Sequence, residues 1–359
     1  MKAIEFLKEY ENPESAKQEI IQTISGLNAT DEIQASIIDR IWKLLNSDNF
    51  SNNIQNAFKI TTADERMSEK NLERHRRSIA ELISRLDSDY SAMTQFLKKL
   101  ESGGVIDISA LSSPISSFNA VFSGDSIAIK AFEMLKNYGV GENQKGPGEF
   151  ALAMLSNKIR LAEGEGDTEI EGIGKVEVKS AVGPKGAGGR IGHGGATQEK
   201  QMATLIKYRE YIPNLVASVE AKSGGTIGIR PFIQALNSEL PASTPENKKI
   251  RTQLALDLIS ENFGNFAQPI ANKFAQENPD EIINEYVKQN FTWYKNRDNF
   301  DAYLIISYTR QKMGMGRTGD DIIKMRQANQ LTEFAISIIP SKAGSREQFA
   351  QISLSASGV

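Results

Sequence analysis

The sequence has no cysteine and only two histidines, His75 and His193. Without thiols it can form no disulfide, thiolate nucleophile, zinc–thiolate site or cysteine-held iron–sulfur cluster. Two histidines give a histidine-rich metal site or a Ser-His-Asp triad almost no material. No stretch approaches the roughly 18 uncharged apolar residues of a membrane-crossing helix, so no membrane partner is expected. The opening "MKAIEFLKEYENPES" has scattered charges and no apolar run, unlike a signal peptide. The expectation is a soluble protein of the cytoplasm, or of a virion if the chain is viral. Carboxylates, Lys, Arg, hydroxyls and a hard metal ion are what remain for chemistry.

What is present is ordinary globular material. The 359 residues are 40% hydrophobic and 24% charged. That suffices for one large or two ordinary domains with a real core, and speaks against wholesale disorder. A formal net charge of −3 argues against a globally basic nucleic-acid binder but leaves room for a local positive channel. Trp42 and Trp293 read as core anchors ahead of base-stacking platforms.

Residues 1–103 read as a helical N-terminal domain. In "DEIQASIIDRIWKLLNS" the apolar residues recur at helical spacing behind Asp31. A longer helix is expected from about Ser68 to Leu100, stopped by "ESGG". Leu72, Ile79, Leu86, Met93 and Leu100 fall seven apart in it. This is either a coiled-coil seam in a homo-oligomer or a helix packed within its own domain, and His75 and Asp89 interrupt a clean seam. Arg74, Arg76 and Arg77 form a solvated face or touch phosphate.

Residues 104–124, rich in Ser and Gly, read as a linker, and 125–359 as an α/β core with a mostly helical insertion at about 231–297. "DSIAIKAFEMLKNYG" and "GPGEFALAMLSNKI" read as helices, with Pro147 in the first turn of the second. "DAYLIISYT" fits a buried strand, and "TEFAISIIPS" and "QFAQISLSA" later strands.

The stretch "EGEGDTEIEGIGKVEVKSA", residues 163–181, carries the chemistry. On a strand, Glu177 and Lys179 share one face while Val176 and Val178 take the other. Folding back over "EGIG" brings Asp167 opposite residue 178 or 179. Two carboxylates and an ammonium then converge, as a metal-assisted hydrolase requires. Hard oxygens hold Mg²⁺ or Mn²⁺, and the Lys orients the metal water or stabilises charge on the phosphorane. "VEAKS" at 219–223 nearly copies "VEVKS", but it reads as a helix end with no preceding Asp hairpin. Glu220 and Lys222 are therefore the decoy.

"GPGE…GD…VEVKS", that is Glu149, Asp167, Glu177 and Lys179, resembles the active-site signature of the PD-(D/E)XK nuclease superfamily. The resemblance covers roughly residues 125–225 and resumes at "DAYLIISYT". It implies a restriction-endonuclease-like fold, a mixed sheet flanked by helices, and Mg²⁺-dependent (or Mn²⁺-dependent) cleavage of DNA. It also implies Asp167 and Glu177 as metal ligands, with the Val178 carbonyl as a third, Lys179 acting on the attacking water, and Glu149 completing the metal shell. Helix-dipole preference also explains a Glu at position 149. Here "GD" stands where the family has Pro-Asp, and no clear Gln-x-x-x-Tyr follows.

Two glycine-rich loops supply cations for a phosphate backbone: Lys185 and Arg190, with Lys200 just beyond, and Arg310, Lys312 and Arg317 in "TRQKMGMGRTGDD". Neither has nucleotide-fingerprint spacing, and His193 is a lone loop histidine. A second class of function stays open: a nucleic-acid-binding assembly protein, for example of a phage particle, with little or no catalysis.

Overall fold

The computed structural model describes residues 31–58, 65–87, 89–138, 146, 148–181, 189–192, 197–221, 226–341 and 348–355. Pro147, Lys185, His193 and Lys222 lie outside them. The chain divides into two compact units, Met1–Ser180 and Ala181–Val359. Helices and strands run through both, and the fold is α/β. Among the described residues no helix is long and apolar enough to cross a membrane.

The first unit begins with α1 (Asp31–Leu45), α2 (Asp48–Phe58), α3 (Glu65–Ser84) and α4 (Tyr90–Glu101). The single helix expected over 68–100 is thus two. The break is chemical, because Asp and Ser side chains compete with helical backbone bonds. Asp89 N–H donates to Asp87 Oδ1 at 2.9 Å, and Asp89 Oδ1 in turn accepts from Ser91 and Ala92 N–H, capping α4. Such a cap contributes about 1 kcal/mol. The sevenfold series Leu72, Ile79, Leu86, Met93 and Leu100 spans both helices, and all five side chains are buried.

Residues 104–124, read as a linker, hold α5 (Ile108–Leu111), β1 (Ser116–Ser117) and α6 (Phe118–Val121). Their polar residues are spent on local bonds. Asp107 caps α5, Ser117 caps α6, and Ser116 Oγ donates to Ala110 O at 2.7 Å. This frees Leu111, Phe118, Val121 and Phe122 to be buried, with Phe118 and Phe122 packing on Phe132 of α7 (Ser126–Leu135). Next come α8 (Glu149–Leu155), β2 (Ile159–Leu161), β3 (Thr168–Ile170) and β4 (Gly174–Ala181). In the segment "NKI", expected to extend α8, Asn157 and Lys158 instead turn the chain and Ile159 opens β2. Gly104 allows the chain to pass there. Its φ is +118°, and a Cβ would strike the Ser156 backbone.

His75 of α3 is buried, stacked on Phe58 with centroids 3.6 Å apart, and its Nδ1 lies 2.9 Å from the Tyr138 hydroxyl. Burial, and after it the Arg74 guanidinium, pushes the imidazole down to about 4. A histidine in the unfolded chain titrates near 6.5. Between these values the unfolded state binds more protons than the native one, so stability falls as pH drops through 6.5 toward 4. The loss is expected to reach about 3 kcal/mol. Urea midpoints of wild type and His75→Phe at pH 7 and pH 4.5 check this. Equal pH dependence in the two proteins would exonerate His75.

The second unit contains α9 (Gln198–Ile206), α10 (Pro213–Ala221), β5 (Ile227–Gly228), α11 (Ile229–Glu239), α12 (Pro245–Phe263), α13 (Ala267–Lys273) and α14 (Pro279–Asp298). After them come β6 (Ala302–Ser307), β7 (Lys312–Gly316), α15 (Gly319–Gln327) and β8 (Ser337–Ile339). Residues 229–298, the span expected to be mostly helical, hold α11 to α14, and every residue of β6 is buried. The stretch "KMGMG" read as a loop is strand β7, antiparallel to β6 with Ser307 opposite Lys312. Its glycines carry no strand signal, and the pairing partner decides. The described residues of "QFAQISLSA", 348–355, form no strand, only isolated bridges at Gln351 and Leu354. Buried amides hold that segment instead: Asn290 Oδ1 accepts from Ala350 N–H at 2.8 Å, and Gln348 Nε2 donates to Ile338 O at 2.8 Å.

Arg251 of α12 is fully buried. Its guanidinium donates to Phe274 O (2.6 Å), Leu240 O (2.7 Å), Asn237 Oδ1 (2.7 Å) and Gln276 O (2.8 Å). These acceptors cluster where α11 and α13 end, and helix ends leave carbonyls without partners. One planar cation satisfies several of them together.

Candidate active site

The candidate residues all lie in the first unit, on α8 and on the antiparallel meander β2–β3–β4. Leu161 opposes Thr168, which opposes Val176, and Ile170 opposes Gly174 across the turn. That turn requires glycine, since Gly172 has φ +77° and Gly174 φ +100°. Alternation then sorts the side chains. Thr168, Ile170, Val176 and Val178 are buried on one face, while Glu169, Lys175, Glu177 and Lys179 take the other. Away from the site the charges pair locally, Arg160 with Glu169 at 2.7 Å and Lys175 with Glu165 at 3.0 Å.

The ladder pairing ends at Thr168–Val176, and Asp167 stands just before β3 with its N–H donating to Val176 O at 3.1 Å. Asp167 Oδ2 accepts the Val178 N–H at 2.8 Å and lies 3.9 Å from Lys179 Nζ. The same ammonium donates to Glu177 Oε1. Asp167, Glu177 and Lys179 therefore converge as anticipated, with the cation bridging the two acids. The Glu177 side chain is 9% exposed, against 25% for Asp167 and 30% for Lys179, so the site is sunken on one side and open on the other. Of Val178, the structure shows the N–H held by Asp167 and a side chain in the core.

Glu149 is the first residue of α8 and is buried, its N–H 3.4 Å from Gly146 O. Among the described residues no three His, Asp or Glu side chains gather as a metal-holding group. The decoy Glu220 sits on α10, as expected, paired with Arg209.

The proposed phosphate-contacting cations lie in the second unit and differ among themselves. Arg190 is half-buried, its backbone bridged to Gln351. Lys200 is exposed at the start of α9 and bound to Glu261 at 2.6 Å. Arg310 is in the β6–β7 turn, Lys312 opens β7, and Arg317 follows β7 with its side chain exposed and its N–H held by Asp321 at 3.0 Å. The Arg76 of the earlier arginine cluster is held by Glu69, Glu73 and Ser51.

Asn53, which the sequence reading passed over, touches both halves of the site's scaffold. It is 1% exposed on α2. A signal was available: Phe50, Asn53, Ile54 and Ala57 recur at i, i+3, i+4 and i+7, an apolar stripe with one amide in it. Compared with protein-family models, with curated proteins and with solved structures, the chain finds no match in any of the three.

Proposed function

We propose that this protein is a metal-dependent nuclease that hydrolyses DNA phosphodiester bonds, with a restriction-endonuclease-like catalytic core. The single observation that carries this reading is the convergence of Asp167, just before β3, with Glu177 and Lys179 of β4. The donor set fits a hard divalent ion in kind. Two carboxylates meet at the Lys179 ammonium, and Mg²⁺ typically takes one or two carboxylates and keeps several waters. Asp167 and Glu177 would hold it, with the Val178 carbonyl as a further oxygen and Glu149 supporting from α8. The ion, when bound, polarises the phosphate and lowers the pKa of its water.

The chain's own groups do the rest. Val178 N–H fixes the orientation of the Asp167 carboxylate. The Lys179 ammonium, already between the two acids, is placed to orient the attacking water and to offset charge on the phosphorane oxygens. Arg190, Lys200, Arg310, Lys312 and Arg317 are assigned to the DNA backbone, which positions the strand without reading its sequence.

One observation favours a second reading, a nucleic-acid-binding assembly protein without cleavage. The Lys179 ammonium contacts both carboxylates with no further cation needed. Nicking of supercoiled plasmid decides between them. Wild type is expected to cut with Mg²⁺ or Mn²⁺ and to stop with chelator, Lys179→Ala to be inactive, and Glu220→Ala to cut normally. A wild type that retards DNA but never cuts it sinks the enzyme. Loss on Glu220→Ala with retention on Glu177→Ala means the copies were assigned the wrong way round.

A further inference from the structure

Asn53 lies 100 residues from one of its partners and 108 from the other. Its Nδ2 donates to Ala153 O at 2.9 Å, and its Oδ1 accepts the Leu161 N–H at 3.2 Å. Both partners are backbone groups in need of one. Ala153 belongs to the last turn of the seven-residue helix α8, whose final carbonyls have no intrahelical donor. Leu161 is on β2, at the rim of the β2–β3–β4 meander, where N–H groups lack a neighbouring strand.

The two partners sit next to the candidate acids. Ala153 is one turn along α8 from Glu149, so the two backbones move together. Leu161 opposes Thr168, and the adjacent Ala162 N–H donates to Asp167 O at 3.2 Å. One amide therefore ties the helix carrying Glu149 to the strands carrying Asp167. Phe58, a turn further along α2, adds an apolar grip on the same helix, with its ring centroid 5.9 Å from that of Phe150.

We infer that Asn53 is a positioning residue, setting the separation between the Glu149 helix and the Asp167 hairpin and so the affinity of the site for its divalent ion. This rests on the nuclease reading given above. It makes α2 a working part of the catalytic unit. The side chain is buried and hydrogen-bonded on both functional edges, so its loss leaves two backbone groups unsatisfied and lets α8 and β2 drift apart. Displacements of about 1 Å at such a remove change rates strongly, and outer supports of a metal site typically govern 10–100-fold in metal affinity or activity.

The test uses the full chain with Asn53→Leu, close in shape but unable to bond, and Asn53→Ser, which keeps a hydroxyl and guards against a misfolded first variant. Each is made alone and with Glu149→Gln. Two quantities are read: bare Mn²⁺ binding by electron paramagnetic resonance, and plasmid nicking across a Mg²⁺ series. Circular dichroism melts confirm that each variant is folded at the assay temperature. The expected result is a half-saturating Mg²⁺ concentration raised about 10-fold by Asn53→Leu, and less by Asn53→Ser. With Glu149→Gln already present, the same change should move it by less than about twofold, since groups acting through one another are non-additive. A wild type that binds Mn²⁺ and cuts, with Asn53 variants unchanged in metal dependence, overturns this inference alone. An equal shift with or without Glu149 overturns it too, because Asn53 would then act on the fold at large. A wild type that neither binds Mn²⁺ nor cuts brings down the nuclease reading and this inference with it.

Discussion

Asp167→Asn is expected to keep the fold and to lower metal-dependent cleavage by at least about 10²–10³-fold, the range for removing one preorganised electrostatic group. The carboxylate accepts the Val178 N–H at 2.8 Å and lies 3.9 Å from the Lys179 ammonium. An Asn carbonyl oxygen can still accept from Val178, so the β3–β4 junction keeps its bond. What disappears is the negative charge, which is half of the acidic pair offered to a cation. Lys179 then keeps Glu177 as a charged partner. Single-turnover nicking rates across a Mg²⁺ series, with melts in parallel, separate the effects. Unchanged cutting by a folded Asp167→Asn would remove the assigned centre of the reaction.

Arg251→Leu is expected to destabilise the second unit by about 3–5 kcal/mol, the range for stripping a buried charge of its partners seen from the other side. Four acceptors lose their donor at once: three backbone carbonyls and the Asn237 amide oxygen. Each buried orphan costs about 1–3 kcal/mol, reduced where the cavity admits water. Burial pulls the guanidinium pKa below its usual value, while nearby Glu277 pushes it up. Arg251→Lys is expected to recover only part of the loss, because a lysine donates from one point and cannot span four acceptors. For a unit of this size the Leu variant should melt about 10 °C lower. Melting within about 2 °C of wild type would mean that the helix ends find other donors.

Much of the site was legible because its rules act over a few residues. The alternation of Val176, Glu177, Val178 and Lys179 put acid and amine on one face, and the strand keeps that arrangement. The helix at Glu220 likewise followed from local pattern. Legibility failed where the choice was made at a distance. "KMGMG" has no strand propensity, yet it pairs with β6 along its length. The helix expected through residues 68–100 carried a sevenfold apolar series, and an Asp cap at 89 outweighed it.

By itself the sequence determined the chemical inventory, which is carboxylates, amines and no thiols. It also determined the strand carrying Glu177 and Lys179 and the apolar run that became β6. Only the tertiary structure decided that Asp167 takes the Val178 N–H, that Asn53 joins α8 to β2, and that Arg251 closes two helix ends. The physical reason is the range of the forces involved. Side-chain periodicity and capping are set by neighbours along the chain. A buried hydrogen bond is set by whichever unsatisfied donor and acceptor the packing of the whole core leaves face to face.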